Sequence, residues 1–272
     1  MSTYNSLVSV VVICYNSAQY ILETLESIKS QSYKNIELII TDDNSSDSTV
    51  EICKKWLNDN SACFVKTYLI TSTKNTGVAP NLNRGCKKAS GKWIKPIAGD
   101  DILLDNCIMD SVNYAENNDL AILFTDFELF GCTDQNVIDQ IRSYYDRNKA
   151  LFGQSAKDQY RYLLLKENFV PAITSFIRKD LLEGVGFYDE NTPMMEDFPM
   201  WVILTRRGIQ LSYLDIKTVR YRIHNNSLTS SSNFQKVVDN YYMNTLFYLI
   251  LRIKPIKAIK KYFRLKQKYK SK

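Results

Sequence analysis

The stretch WIKPIAGDD, residues 93–101, decides the fold. Residues 93–97 form an apolar run that predicts a short buried strand, and Gly99 and two adjacent acids follow it. Open α/β sheets hold their ligands at the carboxyl ends of their strands. Neighbouring side chains diverge at such a point, so we expect Asp100 and Asp101 to do different jobs, one of them binding a hard divalent cation. An acidic pair in a turn can also be simply solvated, so the rest of the chain must decide.

The preceding chain alternates predicted strands and helices. Residues 7–14 form a continuous, largely β-branched run, which is typical of a central parallel strand buried on both faces. Asn16 or Ser17 is a candidate N-cap for the helix that follows. Further strands are predicted at 36–40, 64–70, 93–97 and 120–127, and helices at 18–28, 50–57, 81–89 and 104–116. This alternation predicts an α/β fold with a mainly parallel sheet and right-handed crossovers.

The second half of the chain is less regular. Residues 131–153 are polar and poorly periodic, and we interpret them as a loop with some helix that lies over a site. Helices are predicted at 156–165, 179–183 and 196–207, and strands at 172–177 and 211–223. The predicted organisation is a first half at 1–130, a second half of the same domain at 131–228, and a helical, basic tail at 229–272.

Composition narrows the class of protein. The chain has 272 residues, 45% of them apolar, which is enough for a sizeable core. Six cysteines show no CxxC spacing and there is one histidine, so we expect reduced core cysteines rather than disulfides or a zinc site. No apolar run reaches the roughly 20 residues of a membrane-spanning helix, and the first residues lack a signal-peptide pattern. We therefore expect a cytoplasmic protein.

The positive charge is concentrated at the C-terminus. The net charge is +6, but residues 252–272 hold ten Lys or Arg and no acid, whereas the rest of the chain has 25 basic and 29 acidic residues. Ile256, Ile259 and Phe263 recur at helical spacing between these cations, and Pro255 suits the first position of a helix. Such a helix fits an anionic lipid surface at least as well as nucleic acid, and a solvated basic end is the plainer alternative.

Polar motifs follow the predicted strands in a fixed order. They are Cys14-Tyr15-Asn16, Asp42-Asp43-Asn44-Ser45, Asp100-Asp101, and Met195-Glu196-Asp197 with Trp201 one turn on; His224 comes last. This set resembles the family 2 glycosyltransferases, which have the nucleotide-sugar-binding fold called GT-A. The resemblance covers roughly residues 7–228. It is most specific up to the Asp100-Asp101 pair, and beyond that it rests on Glu196, Asp197 and the surroundings of His224.

The resemblance implies a site for a UDP-sugar donor. Tyr15 would lie beside the base, and Asp42 would accept hydrogen bonds from the uracil. Asn75 and Gly77 would shape a loop beside the nucleotide, and Asp100 would contact the ribose or diphosphate. Two plainer interpretations remain open, because residues 42–47 can be only an Asx turn that caps the next helix, and Gly77 can be needed only for a positive φ.

The resemblance also implies a metal and a base. Asp101 would bind Mn²⁺ or Mg²⁺ bridging the two phosphates, and His224, in an Arg-x-His-x-x-Ser setting, would contact the metal or the diphosphate. A lone histidine is more often structural. Asp197 would act as the general base that gives inversion at the anomeric carbon, and Glu196 and Trp201 would bind the acceptor. Acids at the start of a helix also favour its dipole, which is the alternative for Glu196 and Asp197.

The expected function is the transfer of one hexose or N-acetylhexosamine to a sugar acceptor. The Gln-x-x-Arg-Trp motif of processive synthases is absent from the sequence, which favours one sugar per encounter. By analogy and from the basic tail, the acceptor is expected to be a polyprenyl-diphosphate-linked glycan of O-antigen or capsule assembly, reached at the inner face of the cell membrane. The alternatives are a sugar-nucleotide nucleotidyltransferase, which would need a Gly-rich phosphate loop after the first strand, and an inactive sugar-nucleotide-binding scaffold.

Overall fold

The structure is a computed structural model that describes residues 4–132, 134–192, 195–224 and 234–268. Its strands are β1 Val8–Cys14, β2 Ile36–Asp42, β3 Lys66–Thr71, β4 Trp93–Ala98, β5 Ile102–Leu103, β6 Ile122–Phe130, β7 Phe176–Arg178 and β8 Ser212–Arg222. Its α-helices are α1 Ile21–Lys29, α2 Thr49–Asn60, α3 Val78–Lys88, α4 Cys107–Asn117, α5 Gln135–Asn148, α6 Ala156–Leu165, α7 Lys179–Val185, α8 Asp197–Arg206, α9 Phe234–Tyr241, α10 Phe247–Leu251 and α11 Pro255–Lys268.

The strands of the described residues form one mixed sheet in the order β3-β2-β1-β4-β7-β6-β8-β5. β1 is parallel to both β2 and β4. Val8, Val10 and Val12 point to one face of the sheet and Val11 to the other, and all four are buried, so both faces of β1 are covered. The prediction of a central parallel strand at residues 7–14 is therefore confirmed. Cys14 is paired with Asp42 and Ile13 with Ala98, so the loops that follow β1, β2 and β4 meet at one edge of the sheet.

The second half of the sheet delivers β8 to the same edge. β7 is antiparallel to both β4 and β6, which makes β6 run in the direction of β4. β8 is parallel to β6, and its last residue Arg222 is paired with Phe130, the last residue of β6. The residues that follow β8 therefore emerge beside the loop that follows β4.

Three predicted elements differ from the structure. Residues 131–153, expected to be mostly loop, contain the four-turn helix α5, whose N-cap Asp134 accepts a hydrogen bond from Asn136 N at 2.9 Å. Residues 172–177, expected as strand, begin with a 3₁₀ turn at Ala172–Thr174, and the strand is Phe176–Arg178. Neither Asn16 nor Ser17 caps α1, because Asn16 has a positive φ of 50° and the helix begins at Ile21.

The described part of the C-terminal tail belongs to the main core. Tyr242, Leu246 and Ile250 are buried in the same apolar cluster as Trp201, and so are Ala258 and Leu265 of α11. The ring of Tyr241 packs against Phe198 of α8 at 5.9 Å between centroids. The predicted helical tail at 229–272 therefore contributes buried residues to the domain through its described part.

Candidate active site

The loops after β1 and β2 are hydrogen-bonded to each other. Asn16 N donates to Ser45 Oγ at 2.8 Å, and Asn16 Oδ1 accepts from Ser46 N at 2.8 Å. Ser17 N donates to Thr49 Oγ1, also at 2.8 Å. These bonds hold Tyr15 at the edge of the sheet with 49% of its surface exposed. Tyr15 is therefore accessible to a ligand, as the role of a residue beside a base requires.

Asp42 lies at the end of β2 but is only 1% exposed. Its Oδ2 accepts a hydrogen bond from Ser45 N at 2.9 Å, and its Oδ1 contacts the Ser45 hydroxyl. Asp42 thus closes a tight turn with Ser45, but it does not cap α2, which begins at Thr49. Both carboxylate oxygens of Asp42 are therefore engaged by Ser45 inside the protein.

Asp43 organises the loop at residues 75–77. Its Oδ2 accepts from Thr76 N at 2.8 Å and from Gly77 N at 2.7 Å, and its Oδ1 forms an ion pair with Arg84 Nη2 at 2.6 Å. Burial raises the pKa of Asp43, but the hydrogen bonds from Thr76 and Arg84 outweigh that effect and leave the pKa below its ordinary value. Asn75 and Gly77 are exposed at this loop, and Gly77 has a positive φ of 91°.

No sequence motif indicates the pairing of Asp43 with Arg84. Asp43 belongs to the turn predicted at residues 42–47, and Arg84 lies inside a predicted helix, 41 residues away from Asp43. No local pattern links two residues at that separation. The extra acid in the Asp42-Asp43 pair was the one available signal, because a single acid is sufficient for the turn.

Asp100 and His224 are brought together by the loops after β4 and β8. His224 Nε2 lies 2.9 Å from Asp100 Oδ2, and both side chains remain partly exposed, at 21% and 30%. The imidazole also packs on the ring of Tyr20 at 5.3 Å between centroids. The pair therefore presents a carboxylate oxygen and a ring nitrogen at the open edge of the sheet.

Asp101 has the opposite environment. It is 1% exposed, and its Oδ1 accepts a hydrogen bond from the backbone N–H of Arg222 at 2.9 Å. Burial, followed by the charge of Asp100, raises the pKa of Asp101 well above its ordinary value. The carboxylate that contacts His224 is thus that of Asp100, not that of Asp101. The assignment of Asp101 as the metal ligand that shares the ion with His224 does not agree with this geometry.

Arg222 ties the two loops together. Its Nε donates to Asp100 O at 2.8 Å, and its Nη2 forms an ion pair with Glu23 Oε2 at 2.8 Å. Its guanidinium lies over the rings of Tyr20 and Phe130, at 4.4 and 4.2 Å from their centroids. Sequence analysis noted the Arg-x-His spacing but assigned no role to Arg222, which the structure shows to hold the Asp100 backbone in place.

The side chains at this edge can be compared with the ligands that a divalent cation prefers. In the described ranges 4–132, 134–192, 195–224 and 234–268, no three His, Cys, Asp or Glu side chains converge into a closed metal cage. Mg²⁺ in phosphate chemistry is commonly held by only one or two carboxylates, with substrate phosphates and water completing the shell. Partly exposed Asp100 with His224 beside it fits that open arrangement for a Mg²⁺ or Mn²⁺ ion shared with a diphosphate.

Asp197 begins α8 and is held by a specific partner. Its Oδ2 accepts a hydrogen bond from Asn168 Nδ2 at 3.0 Å. Burial raises the pKa of Asp197, although the hydrogen bonds from Phe198 N and Asn168 partly offset the increase. Burial, and then the charge of Asp197, raises the pKa of the neighbouring Glu196 to about 7. Two half-buried carboxylates with raised pKa values are a chemical arrangement suited to taking up a proton near neutral pH.

Trp201 does not line a site for an acceptor, which corrects the prediction. The side chain is 1% exposed and packs edge-to-face on Phe124 at 4.9 Å between centroids. Its indole Nε1 is buried without a hydrogen bond of normal geometry, yet its position beside Asp197 favours the charged carboxylate. Residues 197 and 201 share one face of α8, and Trp201 is the core residue on that face.

Residues 9–186 match Glycosyl transferase family 2, and the chain belongs to this family. The mainly parallel sheet flanked by helices is the GT-A fold, which confirms both the family and the fold predicted from the motifs.

Curated relatives match over most of the chain. The chain is 25% identical over 235 residues to the UDP-Glc:alpha-D-GlcNAc-diphosphoundecaprenol beta-1,3-glucosyltransferase WfaP of Escherichia coli, covering 85% of this chain and 83% of that protein. It is 23% identical over 231 residues to the putative teichuronic acid biosynthesis glycosyltransferase TuaG of Bacillus subtilis, covering 85% and 84%.

Solved structures share the fold. TarS of S. aureus in complex with UDP-GlcNAc aligns with a TM-score of 0.64 at 20% identity, over 90% of this chain and 66% of that chain. The mannosyltransferase PcManGT of Pyrobaculum calidifontis, in complex with GDP-Man and Mn²⁺, aligns with a TM-score of 0.66 at 17% identity, over 96% and 70%. At these identities the likeness establishes the architecture and leaves donor and acceptor to be argued from the site.

Proposed function

We propose that this protein is an inverting, metal-dependent glycosyltransferase that moves one sugar from a UDP-sugar to a lipid-linked saccharide. The donor sugar would be a hexose or an N-acetylhexosamine. The observation that carries the proposal is that a family 2 chain contains two separate acidic centres. One is the partly exposed Asp100 beside His224, and the other is Asp197, held by Asn168.

On the donor side, the proposal uses the loops at the carboxyl edge of the sheet. Tyr15 and the loop at Asn75 and Gly77 are exposed there, so they are the candidates to contact the base. Asp42 acts through the turn that shapes this edge, because its oxygens are engaged by Ser45. A UDP donor is supported by the UDP-GlcNAc complex of TarS and by the glucosyltransferase WfaP, which uses UDP-Glc.

On the metal side, the proposal assigns the ion to Asp100 and His224. Asp101 is assigned a structural role, since it is buried and accepts the Arg222 N–H. A divalent cation bound there offsets the negative charge that develops on the diphosphate leaving group. The Mn²⁺ complex of PcManGT supports an ion in an enzyme of this fold.

The chemical step is assigned to Asp197. Its carboxylate takes the proton from the acceptor hydroxyl as that oxygen bonds to the anomeric carbon. The bond from the anomeric carbon to the β-phosphate oxygen breaks, and UDP leaves on the opposite side. Attack from the face opposite the leaving group inverts the anomeric configuration. Glu196 lies next to Asp197 in the chain and is assigned to orienting the acceptor.

The decisive experiment measures both UDP release and product configuration. A panel of UDP-sugars is incubated with Mn²⁺ or Mg²⁺ and with α-D-GlcNAc-diphosphate lipid, the class of acceptor that WfaP uses. We expect metal-dependent UDP release, and a product whose proton NMR spectrum shows an anomeric configuration opposite to that of the donor. Asp197→Asn should reduce kcat by about 10²- to 10⁴-fold while UDP affinity is retained. A product with retained configuration, or an Asp197→Asn variant with full activity, would refute the mechanism.

We propose that the protein binds its lipid-linked acceptor at a membrane surface. On α11, Ile256 is 70% exposed and Phe263 58%, and Ile259 is also exposed. A groove of about 630 Å³ at the start of this helix is lined by four lysines and an arginine: Lys254, Lys257, Lys260, Lys261 and Arg264. Apolar side chains among cations suit an anionic leaflet, where each Lys or Arg contributes about 1 kcal/mol. The structure describes no helix with the length and apolarity needed to span a bilayer.

Surface substitutions test this step without disturbing the core. We expect Ile256→Ser combined with Phe263→Ser to weaken binding to vesicles of phosphatidylglycerol and phosphatidylcholine at low salt, and Lys260→Glu to weaken it further. Tyr248→Ser is the matched control, because Tyr248 is 64% exposed but lies on α10. Equal vesicle binding by all four proteins would remove the membrane from the proposal and leave the transfer reaction untouched.

A further inference from the structure

A bidentate ion pair between Arg142 of α5 and Asp126 of β6 holds helix α5 against the second half of the sheet. Arg142 Nη1 lies 3.0 Å from Asp126 Oδ1, and Arg142 Nη2 lies 3.1 Å from Asp126 Oδ2. The same guanidinium donates to Phe127 O at 2.8 Å and lies 5.0 Å from the centroid of the Phe127 ring. A planar guanidinium with this many fixed partners sets the rotation of the helix about its axis.

The far end of α5 is connected to the base. The Tyr144 hydroxyl donates a hydrogen bond to the carbonyl oxygen of Asn168. The side chain of Asn168 donates in turn to Asp197 Oδ2 at 3.0 Å. Asn148, in the last turn of α5, accepts a hydrogen bond from the Tyr162 hydroxyl at 2.9 Å. The helix therefore has a defined position relative to the carboxylate assigned to proton transfer.

Tyr145 occupies the inner face of α5 at this point. Its ring makes edge-to-face contacts with Phe127 and Tyr144, each at 5.1 Å between centroids. The side chain is half-buried, and in the described ranges no residue hydrogen-bonds its hydroxyl. Burial raises the pKa of Tyr145, and the charge of Asp197 is near enough to raise it further. Two aromatic contacts thus fix the Tyr145 ring one residue after Tyr144, whose hydroxyl bonds to Asn168, the partner of Asp197.

We propose that Tyr145 is an acceptor-binding residue, which places the sugar of the acceptor between α5 and Asp197. The inference rests on the proposed transferase function and assigns it a residue that no sequence motif indicated. Tyrosine suits this role because an apolar ring face packs on the C–H face of a sugar while its hydroxyl bonds a sugar hydroxyl. The ring of Tyr221 at the end of β8, 6.2 Å from Phe127 between centroids, continues the aromatic surface toward the Asp100–His224 pair.

The test compares variants that keep and remove the ring. Tyr145→Phe preserves both ring contacts and removes only the hydroxyl, so we expect a KM for α-D-GlcNAc-diphosphate lipid about 3- to 10-fold higher, the size of one net hydrogen bond. Tyr145→Leu removes the aromatic face as well and should raise that KM further. The KM for the UDP-sugar and the affinity for UDP should not change in either variant, because the donor contacts lie on other loops.

The control is Tyr114→Phe, which removes the hydroxyl of another half-buried tyrosine, on α4. It should leave the acceptor KM at the wild-type value. If wild-type protein transfers sugar and both Tyr145 variants fold but keep the wild-type acceptor KM, the inference is wrong and the transferase function stands. If Tyr145→Leu does not fold, Tyr145→Phe alone decides. If the wild-type protein transfers no sugar from any UDP-sugar to any saccharide lipid, the proposed function fails and the inference fails with it.

Discussion

The adjacent carboxylates of Asp100 and Asp101 differ in exposure, because the loop after β4 lies between the open edge of the sheet and the core. Asp100 faces His224 at the edge, whereas Asp101 is turned inward to the Arg222 N–H. Beneath them, Lys95 is 1% exposed and donates to Ile173 O at 2.6 Å, and burial lowers its pKa. Burial thus disfavours the charged forms of both Asp101 and Lys95, whereas Asp100 remains partly exposed.

The first prediction separates these two roles. Asp100→Ala should reduce Mn²⁺-dependent UDP binding by more than the roughly 10- to 100-fold typical of outer-shell partners of a metal, because a direct ligand is lost. Asp101→Asn retains an oxygen that can accept the Arg222 N–H, so it should keep most of that binding. Titration calorimetry with UDP, in Mn²⁺ and in EDTA, measures both. A loss of metal-dependent binding in Asp101→Asn with none in Asp100→Ala would return the metal to Asp101.

The second prediction concerns pH. The pKa of Glu196 is raised from 4.5 to about 7, so the folded protein holds its proton more tightly than the unfolded chain does. The free energy of unfolding should therefore fall as pH rises from about 4.5 to about 7. Glu196→Gln removes this loss, and it also removes the charge that opposes ionisation of Asp197.

We expect thermal denaturation of Glu196→Gln to show a smaller decrease in Tm than wild type between pH 5 and pH 8. The acid limb of kcat/KM should move to lower pH, because Asp197 then ionises more readily. Glu183→Gln is the control, since Glu183 is exposed on α7 and forms its ion pair with Lys179. An acid limb that stays in place in Glu196→Gln would show that the Glu196 charge does not influence the base.

At the scale of elements, α3 is positioned by the small size of one residue. A Cβ at Gly85 would collide with Val11 Cγ1 and come within 2.8 Å of Thr41 Cγ2, so the helix lies directly on β1 and β2. This close approach carries Arg84 to Asp43 and so holds the loop at residues 75–77. Packing of a helix on a sheet thereby determines the shape of the predicted nucleotide edge.

The third prediction tests this packing. Gly85→Ala should lower the free energy of unfolding by about 1–3 kcal/mol, the usual cost of overpacking a core, even though alanine is the better helix former. Urea denaturation measures the change. Gly153→Ala is the matched control, because a Cβ there meets no atom within 4 Å. Equal stability of the two variants would mean that α3 can move away from β1 at little cost.

At the scale of the whole molecule, the C-terminal helices pack back against the main core of the domain. Lys257 Nζ donates to Leu165 O at 2.8 Å, which joins α11 to α6. Leu246, Ile250 and Leu265 are buried in the core that also contains Trp201. The side of α11 that carries Ile256 and Phe263 remains exposed. Helix α11 therefore has one side buried in the core and the opposite side exposed.

The fourth prediction follows from this closure. A chain ending after Asn244 loses three large buried side chains, each contributing about 1.5–3 kcal/mol, so it should be less stable by about 5 kcal/mol or more. Thermal denaturation of the truncated and full-length proteins measures the difference. A truncated protein with unchanged Tm would show that the helices after Asn244 do not stabilise the domain.

The sequence by itself determined the order of strands and helices in the first half, the family and the set of acids. These follow from local signals: β-branched runs, helical periodicity and polar residues at strand ends. Only the tertiary structure decided that Asp42, Asp43 and Asp101 are buried, whereas Asp100 is partly exposed and meets His224 from 124 residues away. It also decided that Trp201 is core and that α5 is a helix fastened beside Asp197. The physical reason is that burial, ion pairing and orientation depend on neighbours distant in the chain, whereas sequence patterns report only on neighbours within a few turns.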